Sequence, residues 1–393
     1  MLARRLVLAA LAFLVLPACQ QSKPGRIGII TALTGSQQAF GQAHDRGFEI
    51  ALEEINAAGG VLGKPLEIVK YDDQSKADIA AQGVAKLVDQ DKVTALIGSY
   101  SSESTKAIVP LVARRGVPLL MPTATADNVL ENTQGWSFRL CSGATDYANA
   151  MVAFWKDAGL PKSLAIVYEN TNFGQANGAA MKKAAGEANI PIVSDESYTA
   201  KSPSYTAMLQ KVKEKSPDAI YFASYLLDAT SLMHQSRQVD LSPRYFTAAG
   251  TGFSTPEFPT EDKGAGKDAE YTFSVTQWMP ESKWQGSAQF AEKFKAKYGS
   301  TPAYHAVQAY TALKVMADAV TRAGKWDPVA IRDALKATDM PQTTFGPVKF
   351  DARGQNLHPV LVTQIQKGKY QIVHPKSEAT ADPVLPTPKW SER

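Results

Sequence analysis

From Arg26 onward the chain alternates between two hydrophobic patterns. Short runs rich in β-branched and apolar residues (RIGIIT, LEIVKYDD, VTALIGSY, VPLLMPT and WSFRL) read as strands. Between them lie runs with helical spacing. In GFEIALEEINAAGG, Phe48, Leu52 and Ile55 recur at i, i+4 and i+7, and Gly59 or Gly60 supplies the stop. ADIAAQGVAKLV repeats the pattern with Ile79, Val84, Leu87 and Val88. VTALIG and VPLLMP are apolar throughout, the character of central parallel strands covered on both faces. The pattern predicts βαβ units and an α/β fold.

The alternation restarts after FRLCSGATDYA. LAIVYE, PIVSDESY, DAIYFAS, RYFTAAG and EYTFSV read as strands, with helices expected over 176–189, 204–215 and 228–239. Helices over 287–298, 303–323 and 328–337 follow. GPVKFD and PVLVTQIQKGKYQIV alternate well enough to form an antiparallel pair, and the Pro-rich stretch beyond His374 reads as a loose tail. The tetrapeptide Phe-Gly-Gln-Ala occurs twice, at Phe40–Ala43 and at Phe173–Ala176. Each copy follows the first strand of a βα series and opens its first helix. The end of a parallel strand is where an open sheet forms its ligand crevice, so the copies hold equivalent places in two lobes.

Composition changes the picture at the two ends. Arg4 and Arg5, an apolar run from Leu6 to Leu16 and small Ala18 before Cys19 have the order of a secretory signal. The run is too short to span a bilayer, which takes roughly twenty residues. LPAC resembles a lipobox in which Cys19 becomes the lipid-bearing first residue, although Pro17 departs from the small residue usual there. Losing the two arginines takes the net charge from +4 to +2, too little for a nucleic-acid footprint. Cys141 then has no disulfide partner, and stability must come from apolar cores.

Catalytic signatures such as G-x-S-x-G, H-E-x-x-H, C-x-x-C or a complete P-loop are missing from the sequence. The histidines His44, His234, His305, His358 and His374 are scattered, so neither a metal nor a cofactor is expected. Asp72 and Asp73 could do acid–base work or simply end a strand. GSYSSEST brings serine hydroxyls to the free N–H groups of a helix start, as helix caps or as an anion site. MPTATADN ends the next strand with Thr123, Ala124 and Thr125. Phe173 and Tyr225 follow strand ends of the second series, where they are either packing residues or an apolar wall facing the polar first lobe.

The stretches IGIITALTGSQQAFGQAHDRGFEIALEEINAAGGVLGKPLEIVKYDDQ, ALIGSYSSEST, VPLLMPTAT and FRLCSGATDYA resemble the periplasmic binding proteins of the leucine/isoleucine/valine type. The resemblance covers nearly all of the mature chain. It implies a two-lobed type I binding-protein fold, each lobe a mostly parallel sheet covered by helices, with three crossovers near 141–146, 275–277 and 337–346. The corresponding division is a signal peptide over 1–18, an anchored linker over 19–25, a first lobe of 26–143 and 277–340, a second of 144–276 and 341–376, and a tail of 377–393. It further implies a ligand carboxylate held by Ser102, Thr125 and backbone near Thr123 and Ala124, with Phe173, Tyr225 and Phe40 as aromatic walls. Amino-acid-binding members carry an acidic residue where this chain has Gly250. Asp228 and Glu169 could stand in, although they also read as a helix-start acid and a strand-end residue.

The expectation is therefore a non-enzymatic, extracytoplasmic ligand-binding component of an ABC importer. It would be monomeric, held to a membrane only by lipid on Cys19, and partnered by a permease. Its ligand would be a small apolar carboxylate: a branched-chain or hydrophobic amino acid, or an amine-free aromatic or aliphatic acid or an amide. The other functional classes are a ligand-binding sensory domain, which would need a downstream membrane helix or no signal peptide, and an enzyme, which would need a nucleophile–base pair.

Overall fold

The computed structural model describes residues 25–393; the expected signal peptide and Cys19 lie outside them. The first lobe begins with β1 (Gly25–Thr31), α1 (Gln38–Ala57), β2 (Leu66–Asp72), α2 (Ala77–Val84), β3 (Leu96–Ile97), α3 (Ser102–Arg115), β4 (Leu119–Met121) and β5 (Ser137–Arg139). Its strands form a parallel sheet in the order β2-β1-β3-β4-β5. The apolar runs divide between its faces as a two-residue period demands. Ile27, Ile29, Ile97 and Leu120 enter one core, while Ile30, Leu96, Leu119 and Met121 enter the other beneath α2 and α3.

The second lobe comprises α4 (Ala144–Ala158), β6 (Leu164–Glu169), α5 (Asn172–Glu187), β7 (Ile192–Tyr198), α6 (Thr206–Glu214), β8 (Ala219–Ala223), α7 (Leu226–Gln238), β9 (Tyr245–Ala248) and β10 (Phe273–Thr276). The chain then returns to the first lobe with α8 (Ser287–Tyr298), α9 (Tyr304–Ala323), α10 (Pro328–Lys336), β11 (Asp339–Met340) and β12 (Val348–Lys349). The strands β13 (Leu361–Gln366) and β14 (Lys369–His374) complete the second sheet, in the order β14-β13-β10-β9-β8-β6-β7. Within this sheet only the β10–β13 and β13–β14 pairings are antiparallel. Ile166 and Tyr221 face one core, and Val167, Ile220 and Phe222 the other.

Three expectations change. The third crossover comes after residue 356 and not at 337–346, and residues 341–356 belong to the first lobe. Phe345, Val348 and Phe350 are part of its core, Phe350 packs 5.3 Å from Phe138, and Gln355 bridges to Arg139 at the end of β5. The pairing at the chain's end also differs. Val348–Lys349 pairs with Asp339–Met340, whereas β13 and β14 form a hairpin with each other. The tail is packed and not loose: the Trp390 indole donates to Leu241 O at 2.8 Å and its ring meets Phe246, while Thr387 N donates to Arg244 O at 3.0 Å.

The crossovers are laced together. Ser142 N donates to Gln277 Oε1 at 2.7 Å and Ser142 Oγ to His358 O at 2.8 Å. Gln355 Nε2 donates to Cys141 O at 2.9 Å, and Asn356 Nδ2 to Leu140 O at 3.0 Å. Among the described residues, no helix is long and apolar enough to cross a membrane.

Candidate ligand cleft between the lobes

In each sheet the strand order reverses beside the first strand of the series: β1 lies between β2 and β3, and β6 between β7 and β8. Loops after the carboxyl ends of such strands splay apart and leave a crevice. The loops after β1 and β3 face those after β6 and β8 across the seam between the lobes, with the loop after β4 beside them.

The repeated tetrapeptide falls in the first turn of α1 and of α5, and its glycines share a constraint. A Cβ on Gly41 would lie 1.8 Å from Ala32 O, and one on Gly174 would lie 2.0 Å from Glu169 O. Each helix start therefore presses against the end of its lobe's first strand, and the phenylalanine before each glycine is driven into the seam. Phe40 and Phe173 are both buried. Phe173 stacks on Tyr225 at 4.9 Å, and Phe40 lies 5.8 Å from the same ring. Phe40 stacks on Tyr100 at 4.7 Å and meets His305 edge-on at 5.1 Å, closing a wall of rings drawn from both lobes.

The polar side is built from β3 and β4. Ser101 caps α3 by accepting from Ser104 N at 3.1 Å, which frees Ser102 for another task. Ser102 Oγ accepts from Ala126 N at 3.1 Å; its own proton stays available to an acceptor. Thr123 Oγ1 donates to Tyr100 O at 3.0 Å and ties the two loops together. Thr125 is 3 % exposed, and its hydroxyl has no partner. Two hydroxyl protons beside a helix N-terminus can receive a carboxylate without a cation.

Arg139, buried at the end of β5, holds this loop in shape. One guanidinium nitrogen donates to the carbonyls of Ala124, Thr125 and Ala126 at 3.3, 3.1 and 3.0 Å. The same group reaches Asp127 at 3.3 Å and Gln355 Oε1 at 2.5 Å. Thr125 O also accepts from Ala144 N at 2.7 Å, where α4 begins, so the loop is bonded directly to the first crossover. Asp72 and Asp73 prove to be loop ties. Asp72 accepts from Thr34 Oγ1 at 2.6 Å, and Asp73 from Ser99 Oγ at 2.5 Å and Ser75 N at 2.9 Å.

The structure thus brings Ser102, Thr123, Ala124, Thr125, Phe40, Phe173 and Tyr225 into one seam. Reading the sequence missed Tyr100, although it lies inside GSYSSEST. It also missed His305, at the start of α9, which only the chain's return to the first lobe brings to the cleft. His305 is buried and its Nδ1 has no partner; burial and nearby His44 hold its pKa well below the usual imidazole value, so it is neutral. Burial likewise lowers His44 to about 3. Cys141 is a buried free thiol whose Sγ lies 3.4 Å from Ala124 O, and burial pushes its pKa up to about 12. Gly250 follows β9 with φ +74° and ψ −142°, and a Cβ there would lie 2.6 Å from Val275 O. No acidic side chain can be placed at that point without moving backbone. Among the described residues, no group of His, Cys, Asp and Glu is arranged to hold a metal ion.

Comparison with known proteins agrees with this architecture. The model of the periplasmic binding protein family matches residues 24–369. The Leu/Ile/Val-binding protein homolog 7 of Brucella suis biovar 1 (strain 1330) is 28% identical, the alignment covering 98% of this chain and 99% of the relative. The branched-chain amino acid transporter substrate-binding protein LivJ of Streptococcus pneumoniae, solved in complex with isoleucine, superposes with a TM-score of 0.82 at 26% identity over 90% of this chain and all of its own. A solute-binding protein of an ABC transporter from Rhodopseudomonas palustris BisB5, solved with 3,4-dihydroxy benzoic acid, shares the fold at a TM-score of 0.80 and 19% identity, covering 88% of this chain and 95% of its own. With this two-lobed fold and a family model that spans residues 24–369, the chain belongs to the periplasmic binding protein family.

Proposed function

We propose that this protein is the extracytoplasmic receptor of an ABC importer and that it captures an amino acid with a branched or otherwise hydrophobic side chain. The observation that carries the reading is the unpartnered, buried hydroxyl of Thr125 beside the free proton of Ser102, opposite the rings of Phe40, Tyr100, Phe173 and Tyr225. That is a carboxylate seat next to apolar enclosure. The isoleucine complex of the Streptococcus pneumoniae relative supports the same class of ligand. Ligand binding would draw the lobes together, because the seat belongs to the first lobe while Phe173 and Tyr225 belong to the second. A permease would receive the closed form, and lipid on Cys19 would hold the protein at the membrane.

A second reading follows from Gly250. Without an acid after β9, the ligand could be an amine-free aromatic or aliphatic acid. Calorimetry on protein unfolded, dialysed and refolded to strip carried-over ligand separates the two. L-leucine is titrated against 4-methylpentanoate, and L-phenylalanine against 3-phenylpropanoate. The expected result is tighter binding of an amino acid than of its des-amino twin, with Thr125→Ala weakening both twins by roughly tenfold to a hundredfold. Equal or tighter binding of the amine-free acid would favour the second reading, and silence from all four compounds would remove the apolar-carboxylate assignment.

A further inference from the structure

Glu169, the last residue of β6, is fully buried at 0 % exposure. Its Oε1 accepts from Thr171 Oγ1 at 2.7 Å and its Oε2 from Tyr225 N at 3.1 Å. Each carboxylate oxygen can take two hydrogen bonds, so each retains an accepting position. Burial dominates and pushes its pKa up to about 7, the hydrogen bonds from Thr171 and Tyr225 oppose the rise, and the like charges of Asp228 and Glu103 add to it. A buried carboxylate without a counter-charge is costly, and a glutamine could keep its one oxygen on Tyr225 N only by turning its NH2 toward the Thr171 hydroxyl, which can rotate to accept.

Glu169 lines a cavity of about 30 Å³ on the seam between the lobes, beside Tyr225, Asp228 and Lys201 from the second lobe and Ser36 and Gln37 from the first, so two carboxylates stand there against one lysine. That volume suits a group about the size of one water molecule, which is the size of an ammonium. The cavity is rich in acceptors. Gln37 Oε1 is buried there without a partner. Asp228, 5 % exposed, is held in place by the Lys201 backbone N–H at 3.0 and 3.1 Å from its two oxygens. Independent observations mark the rest of a ligand's path. His305 is 2 % exposed with an unpartnered Nδ1, its ring against Phe40 and Tyr100, and Phe40 touches Tyr225 at the cavity's edge. The unpartnered Thr125 hydroxyl lies in the loop after β4.

Resting on the amino-acid reading above, we propose that Glu169, with Gln37 Oε1 and Asp228 beside it, receives the ligand's ammonium group. The cleft then takes a zwitterion, its carboxylate on Ser102 and Thr125 and its ammonium on the end of β6. Because Gln37 and Glu169 belong to different lobes, the ammonium also bridges the seam, so an α-amine contributes to closure as well as to selectivity.

The test repeats the paired titrations with Glu169→Gln. The expected result is a loss of roughly 30-fold or more in amino-acid affinity, with the des-amino twin kept within about twofold. Gln37→Leu, on a partly exposed loop, is the second variant should Glu169→Gln fail to give a native circular-dichroism spectrum; it is expected to weaken the amino acid by roughly tenfold and spare its twin. If the wild type prefers the amino acid and both variants bind it undiminished, the ammonium site is overturned while the proposed function stands. If the wild type binds twins equally, the ammonium site is again overturned and the carboxylate seat survives. If none of the four compounds binds the wild type, the proposed function falls and takes this assignment with it.

Discussion

Gly41 and Gly174 do the same work in two lobes: each lets a helix start touch the carbonyl at the end of a strand, and each aims the preceding phenylalanine at the seam. The repeat could be seen in the sequence, but its cause could not, because the close approach is between a helix and a strand end. Glu169 shows the opposite case. It reads as an ordinary strand end, and only its complete burial singles it out. Its ordinary carboxyl pKa of 4.5 rises to about 7 on folding, so the folded state favours the protonated form. The stabilisation this gives is complete below pH 4.5, is lost as the pH climbs to about 7 and stays lost above. Between pH 4 and pH 8 the stability of ligand-free Glu169→Gln relative to the wild type should rise by up to about 3 kcal/mol. Urea denaturation at the two pH values measures the difference; a constant offset would mean that Glu169 does not titrate in this range.

At the level of elements, the strands with continuous apolar runs were the most legible, because burial on both faces leaves a signal that survives without context. β6, β8 and β9 are of this kind. The hairpin of β13 and β14 was legible only in part. Its two-residue turn, Lys367–Gly368, has both residues at positive φ, 54° and 70°, and joins Gln366 to Lys369. A residue followed by glycine between alternating segments is a hairpin signal in its own right, and it outweighs a longer-range pairing with GPVKFD. The Pro-rich tail misled for a different reason: proline spacing says how a chain bends, not whether its side chains find pockets. Trp390 does find one, between Phe246 and the Arg393 guanidinium, which sits 3.8 Å from the centre of the indole ring. Trp390→Ala should cost the second lobe about 3 kcal/mol, with the loss appearing as an earlier denaturation midpoint. An unchanged midpoint would return the tail to the status of a loose end.

For the molecule as a whole, the sequence carried the two-lobed plan and most of the residues at the seam. It could not carry the way the seat and the crossovers are joined, because Arg139 meets Gln355 across 216 residues of chain. The proposed seat and the crossovers are one hydrogen-bonded body: Thr125 O binds Ala144 N, Ala124 O takes both Arg139 and the Cys141 thiol, and Cys141 O takes Gln355. A thiol in that position is a gauge as well as a packing group. In a Cys19→Ser protein it is the single cysteine of the chain, and its burial and high pKa keep it from reacting while the hinge is shut. Alkylation by iodoacetamide, followed by intact mass, therefore counts the excursions in which the ligand loop parts from the first crossover. A saturating ligand should slow the labelling, and the factor by which it does so measures how firmly an occupied seat locks the hinge. Labelling at an unchanged rate would mean that the thiol is reached by some motion that ligand does not restrain. The protein carries its own clock for opening, with no need of an engineered label.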